Sequence, residues 1–219
     1  MIDKRVPDLA AAVAGIKDGS TILVAGFGGS GLPFELVHAL CDADVRDLTI
    51  VANNAGSGDT GLARLMKEGR MRKIVCSFPR SAGSTMFEEK FAAGELELEL
   101  VPQGTLSERI RAAAAGIGGF FTPTAAGTQL AEGKETREID GRLYVFEKPL
   151  KGDVALLKAL KADRWGNLVY HSAARNFNPV MAAAAKLAVA QVKEIVELGE
   201  LSPEHIVTPG IFVDRVVRV

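Results

Sequence analysis

Gly26-Phe27-Gly28-Gly29-Ser30-Gly31 is the stretch best suited to receive a charged ligand. Glycines let a ligand approach the main chain, whose N–H groups bind anions or developing negative charge. Four glycines in six residues exceed what one turn needs. The spacing also matches the dinucleotide fingerprint G-x-G-x-x-G, which points to a nicotinamide oxidoreductase. That chemistry needs an acid about 20 residues further on to hold a ribose. Asn53-Asn54 stands where the acid should be. A tight strand–helix turn with no ligand is the plain alternative.

Two more polar segments follow apolar runs. Asn53-Asn54-Ala55-Gly56 is either a ligand contact at a strand end or an Asn-rich turn. Gln103, in Val101-Pro102-Gln103-Gly104-Thr105, has an amide that can donate to a substrate oxygen or merely close a loop. Ser107 is expected to cap the helix that carries Glu108, Arg109 and Arg111, a solvated or interfacial face. His38 and His171 have no Ser or Cys partner in view, and Cys76 at a strand end reads as core. No catalytic constellation stands out, which is informative if the nucleophile comes from another chain.

The elements that must position these residues alternate in period. Leu9, Ala12, Val13 and Ile16 define a helix over 7–17, ended by Asp18-Gly19. Short apolar runs at 21–25, 48–52, 73–76 and 96–100 read as strands. Helices are expected over 34–42, with Pro33 at its start, and over 60–68, 84–93 and 106–115. Beyond residue 117 the pattern changes. Residues 120–128 read as a loop, Asp140-Gly141 as a two-residue hairpin turn, and 163–167 as another turn. A helix near 179–186 precedes strands at 187–192 and 211–218. The expected fold is α/β. It is an open, mainly parallel sheet with helices on both faces and an antiparallel elaboration in the second half, forming a single domain over 1–219.

Composition narrows the function classes. A net charge of −1 gives neither a basic footprint for nucleic acid nor a polybasic membrane anchor. The start, MIDKRVPDLAAAV, lacks the apolar core of a secretory signal. Two cysteines are too few for a disulfide framework, and with three scattered histidines they show no metal-ligand spacing. The expectation is a cytoplasmic protein with reduced thiols and no metal.

DGSTILVAGFGGSGLP (18–33) resembles the alpha-subunit signature of family I CoA-transferases. The family usually has Gly-Gly-Phe where this chain has Ala25-Gly26-Phe27. NNAG (53–56), VPQGTLSERIRA (101–112), FFTPTAAGT (120–128), EGKETREIDGR (132–142), KADRWGNL (161–168) and ARNFNPVMA (174–182) are similar to further family segments, in order to the end of the chain. The resemblance implies exchange of CoA between carboxylic acids. A glutamate attacks the acyl-CoA thioester, and the CoA thiolate then forms an enzyme thioester that the acceptor acid reverses. That glutamate belongs to a beta subunit, in a Ser-Glu-Asn-Gly motif that this sequence lacks. The partners implied are that beta subunit, in a heterodimer or heterotetramer, and succinyl-CoA with a 3-oxo acid. Coenzyme A is a substrate, and no cofactor is held permanently.

In the resemblance Gln103 matches a position near the oxyanion of the tetrahedral intermediates. Asn53 and Asn54 match positions near the reacting centre, and Gly26, Gly28, Gly29 and Gly31 border the site. CSFPRSAGS (76–84) and DRWGNL (163–168) resemble the 3-oxoadipate branch of the family, while the acetoacetate branch differs in the first. 3-Oxoadipate carries a second carboxylate that Arg80 could pair with. A surface arginine is the alternative for that residue. A non-catalytic scaffolding relative is the remaining alternative for the chain.

Overall fold

The computed structural model describes residues 2–81 and 84–219, so Ala82 and Gly83 of the segment 76–84 lie outside the described residues. Helix α1 (Leu9–Val13) opens with Asp8, whose carboxylate accepts from the Ala11 N–H at 2.8 Å. It ends well before the expected Asp18, because Gly15 turns left-handed at φ 82° and stops the helix. Strands and helices then alternate: β1 (Thr21–Val24), α2 (Phe34–Asp42), β2 (Leu48–Val51), α3 (Leu62–Lys67), β3 (Met71–Cys76), α4 (Met86–Ala92), β4 (Glu97–Leu100) and α5 (Gln103–Ala114). The expected strands in this half are present, in parallel register such as Ile22 beside Ile50 and Ile50 beside Ile74.

Alternation along each strand feeds two cores. Ile22, Val24, Ile50 and Ile74 join Leu36, Leu40, Leu62 and Leu65 on one face. Leu23, Ala25, Val51 and Val75 join Leu106, Ile110 and Met181 on the other. Successive side chains of a strand point to opposite faces, so continuously apolar strands require helices on both sides. Each fully buried Ile or Leu contributes about 1.5–3 kcal/mol, which fixes the strands as a rigid platform.

The second half holds both antiparallel and parallel parts. β5 (Phe120–Thr122), β6 (Thr136–Ile139) and β7 (Arg142–Glu147) form a small antiparallel sheet. Asp140 and Gly141 both have positive φ at its hairpin, as a type I′ turn requires. The expected loop at 120–128 therefore begins with a strand. Next come β8 (Gly152–Asp163), β9 (Leu168–Val169), α6 (Asn178–Ala183), β10 (Ala185–Val196) and β11 (Arg215–Arg218). β9 folds back antiparallel on β8, but β8, β10 and β11 belong to the parallel sheet. The antiparallel elaboration thus covers only part of the second half.

The sheet order is β11-β10-β8-β1-β2-β3-β4. Strands β2 to β4 are added on one side of β1 and the later strands on the other. The order therefore reverses at β1. In open α/β sheets a crevice forms at such a reversal, outside the carboxyl ends of the strands. The glycine stretch begins two residues after β1 ends. Among the described residues no helix is long and apolar enough to cross a membrane.

Candidate active site

Phe27 and Ser30 exchange two backbone hydrogen bonds, of 2.9 and 3.1 Å, across Gly28 and Gly29. Gly28 takes φ 57°, and Gly29 does not take positive φ. That is the pattern of a two-residue type II′ hairpin turn, which wants glycine at its first central position. The loop is therefore a small hairpin and not the direct strand-to-helix turn of a dinucleotide site. α2 starts only at Phe34, and Glu35 already occupies its first turn. Gln191, fully buried, caps this helix from β10. Its Oε1 accepts from the Leu36 N–H at 3.1 Å, and its Nε2 donates to the Glu35 carboxylate. Burial pushes the Glu35 pKa up, but the Gln191 bond and a backbone donor outweigh it, so the net shift is downward. A held anion there leaves no place for a pyrophosphate.

The four glycines divide into two pairs. A Cβ on Gly26 would meet Leu32 at 3.1 Å, and one on Gly31 would collide with the Ala174 carbonyl and both Asn176 and Asn178. Those two let the loop pack. A Cβ on Gly28 or Gly29 would enter open space. Among the described residues their N–H groups hold no hydrogen bond. Neither Gly26 nor Gly31 lines the cavity that Gly28 and Gly29 border.

That cavity has a volume of about 400 Å³ and includes Asn53, Asn54, Phe78 and Arg80 in its lining. Asn53, just past β2, is buried, and its carbonyl accepts from both the Ser77 and the Phe78 N–H at 3.1 Å. Its side-chain Oδ1 accepts from Gln103 Nε2 at 2.5 Å. Gln103 is the first residue of α5, with Pro102 at the N-cap, so the helix starts three residues before the expected 106. A proline's fixed φ suits a helix start. Ser107 consequently lies inside the helix and does not cap it. The Gln103 amide nitrogen carries two protons. Asn53 takes one and the other is left free. Gln103 itself lines not this cavity but a smaller one of about 250 Å³, which shares Phe27 with it and is also bordered by Ser107 and Asn176. Asn54 spends its Oδ1 on the Gly56 N–H at 2.9 Å, so it is a turn former as well as a lining residue.

Arg80 reaches the cavity from an 80 % exposed position, and its Nε lies 3.4 Å from a Glu88 oxygen. Its charge is therefore screened and already shared. The cavity lining holds no Asp, Glu, His or Cys among the described residues. Cys76 is fully buried, and burial pushes its thiol up to about 12, so it stays protonated and unreactive at neutral pH. His38 Nε2 accepts from the Gly61 N–H at 2.8 Å and is structural. The arrangement can bind and polarise a carbonyl or carboxylate. Its hydroxyls, on Ser57, Thr60 and Ser81, have no acidic, His or Lys side chain beside them in the described lining to activate them for attack.

Two features escaped the sequence. Phe27 and Phe78 flank the cavity and are 52 % and 56 % exposed, which an isolated Phe in a glycine or proline context does not announce. Asn176 and Asn178 grip the glycine loop from more than 140 residues away. Their Asn-x-Asn spacing in 174–182 was the available signal.

The sequence pattern of the coenzyme A transferase family matches residues 6–219. The chain is 63 % identical to one of the subunits of the 3-oxoadipate CoA-transferase of Pseudomonas putida over all 219 residues, covering 95 % of that protein. It is 51 % identical to the corresponding polypeptide of a probable succinyl-CoA:3-ketoacid coenzyme A transferase of Bacillus subtilis, over 92 % of this chain and 84 % of that one. The fold superposes with a TM-score of 0.86 on an acyl-CoA transferase of E. coli O157:H7 in thioester complex with CoA. That pair is 23 % identical, and all of this chain covers 47 % of the longer one, about half its length. The family pattern takes in every residue of the cavity, and with the identity to the curated relatives it establishes that the chain belongs to the coenzyme A transferase family.

Proposed function

We propose that this chain is one of two different subunits of a cytoplasmic CoA-transferase that moves CoA from succinyl-CoA to 3-oxoadipate. The observation that carries the reading is a cavity supplied with hydrogen-bond donors and, among its described lining residues, without a carboxylate, thiol or activating base. A second chain then brings the glutamate. Its carboxylate attacks the thioester carbonyl, an oxyanion forms, and the C–S bond breaks to release CoA thiolate. The thiolate attacks the resulting anhydride at the glutamyl carbonyl, freeing succinate and leaving a glutamyl-CoA thioester. The acceptor acid runs the same steps backwards. Throughout, this chain meets the developing oxyanions with the Gln103 amide and the Gly28 and Gly29 N–H groups. Asn53 holds Gln103 in place. No cofactor is needed, and the 219 residues act as one domain.

Arg80 supports a dicarboxylic acceptor, because it is the cation of the cavity lining. The relative at 51 % identity is named for a 3-ketoacid, which also fits a second reading, acetoacetate as acceptor. The test is to co-express the chain with a partner carrying Ser-Glu-Asn-Gly and to assay acids against succinyl-CoA. The isolated chain should be inert and the complex active. Turnover by the chain alone overturns the two-subunit reading. Arg80→Met should cost roughly tenfold in kcat/KM for 3-oxoadipate and leave acetoacetate unchanged, with the donor varied separately. Equal rates with both acids return Arg80 to the surface and favour the second reading.

A further inference from the structure

Asn176 and Asn178 stand on either side of Phe177 at the entry to α6, and both donate into the glycine loop. Asn176 Nδ2 donates to the Ser30 carbonyl and the Ala173 carbonyl, each at 2.9 Å, while its Oδ1 accepts from the Phe177 N–H at 2.7 Å. Asn178 is fully buried. Its Nδ2 donates to the Gly31 carbonyl at 3.3 Å and the Ala174 carbonyl at 2.8 Å, and its Oδ1 accepts from the Lys158 N–H of β8 at 2.7 Å. Both amide protons of each side chain are thus committed within the protein. Neither keeps a donor for a substrate, so a direct catalytic role is unavailable to them.

The loop needs such a hold. Glycine is the residue with the most backbone freedom, and a two-residue hairpin alone is marginally stable. The Ser30 carbonyl accepts twice, from the Phe27 N–H that closes the hairpin and from Asn176. Asn176 therefore binds the very group that fixes the Gly28–Gly29 turn. Gly31 lacks the Cβ that would collide with both asparagines, so loop and clamp fit only without a side chain there. Donors aimed at an oxyanion work because they need no reorganisation during the reaction. A misplacement of about 1 Å can cost roughly a hundredfold.

We propose that Asn176 and Asn178 are positioning residues that clamp the Phe27–Ser30 hairpin so that the free Gly28 and Gly29 amides face the cavity in one orientation. The proposal rests on the reading of those amides as oxyanion donors. It is tested in the two-subunit complex. Asn178 is buried, so its variants risk misfolding, and Asn176 carries the experiment. Asn176→Ala should lower kcat by about ten- to a hundredfold with both KM values kept within about twofold. The loss of three hydrogen bonds, from a side chain outside the core, should lower the melting temperature by several degrees without unfolding the chain. Hydrogen exchange in a peptide spanning 26–32 should speed up.

Asn176→Asp replaces donors with acceptors facing the Ser30 carbonyl. It should be as slow as Asn176→Ala at neutral pH. It should recover as pH falls and the carboxyl group protonates, because the acid O–H can donate again. Asn176→Ala should show no such recovery. Gly29→Val separates the two readings, since its backbone accepts a side chain without collision at a residue that lines the cavity. Full activity of Gly29→Val sinks the loop reading itself. An inactive Gly29→Val beside an Asn176→Ala of normal kcat sinks only the clamp. A loss in Asn176→Ala that tracks a steep fall in melting temperature, or a rise in KM at constant kcat, makes the asparagine merely structural and overturns the proposal.

Discussion

Gln103 and Asn53 form the shortest polar contact of the site and are separated by fifty residues of sequence. Their pairing assigns different tasks. Asn53 is buried and spends its side-chain oxygen on Gln103, whereas Gln103 keeps a proton free at the helix start. Removing one oxyanion donor typically costs about 10²–10³ in rate. Gln103→Ala in the active complex should therefore lower kcat by about that factor and leave KM nearly unchanged. If Asn53 acts by orienting Gln103, adding Asn53→Ala to that variant should cost little more, although Asn53→Ala alone is slow. Steady-state kinetics of the two single variants and the double variant decide it. Additive losses would show that Asn53 touches the substrate on its own. An unchanged kcat for Gln103→Ala would make it a loop-closing residue.

Among the elements, strands β1 to β4 were legible because each is an unbroken apolar run bounded by Gly, Asp or Asn. β8 was not. Its LLKALKAD is built from Leu, Ala and Lys, which favour helix, and only pairing with β1 and β10 makes it a strand. The start of α5 was misplaced because Ser107 was expected to cap it, whereas Pro102 stands at the N-cap and Gln103 is already helical. The site was half legible for a related reason. Gly28, Gly29, Asn53 and Gln103 sit at strand ends, and strand ends can be read locally. The Asn-x-Asn spacing of Asn176 and Asn178 was visible locally, but the glycine-loop carbonyls that their amides hold lie more than 140 residues away, so the spacing alone could not say what it grips. Of Glu108, Arg109 and Arg111, expected on a solvated or interfacial face, Glu108 and Arg111 are about half exposed, but Arg109 turns inward to a charge cluster joining β4, α5 and β7. Glu99 accepts from Lys73 at 2.7 Å and from Arg109 at 2.8 Å, and Lys134 donates to the buried Glu147 at 2.6 Å. Burial pushes the Glu99 pKa up, but Lys73 and Arg109 pull it down further, for a net lowering. A carboxylate with a depressed folded pKa stabilises the fold above its unfolded value, near 4.3, and loses that contribution as pH falls through the folded value. Glu99 is a third exposed, so screening limits its worth to about 1 kcal/mol. Urea midpoints should thus place Glu99→Gln below the native chain at pH 7, with the gap closing below about pH 4. A gap independent of pH would assign the loss to packing.

At the scale of the molecule the cavity is unfinished. Phe27 and Phe78 line it, and both are about half exposed although aromatic rings dominate cores and interfaces. Covering the exposed half of such a ring removes on the order of 80–100 Å² of apolar surface, worth about 2 kcal/mol each. A partner that delivers a glutamate to the Gly28–Gly29 amides must come down over this cavity, and it would meet the two rings first. Phe78→Ser should then weaken assembly by about 2 kcal/mol, near thirtyfold in Kd, while the isolated chain keeps its melting temperature because the ring is outside the core. Hydrogen exchange over 26–31 and 77–81 should slow when the partner is added. Titration of the partner against native chain and Phe78→Ser, followed by calorimetry, separates the outcomes. Equal Kd values with equal turnover would mean that the partner approaches elsewhere and that Phe78 faces solvent in the complex. Equal Kd values with a raised KM for succinyl-CoA would move the ring from the subunit contact to the substrate. Only a weakened Kd, with full turnover restored at saturating partner, fits a ring that seats the second subunit over the site.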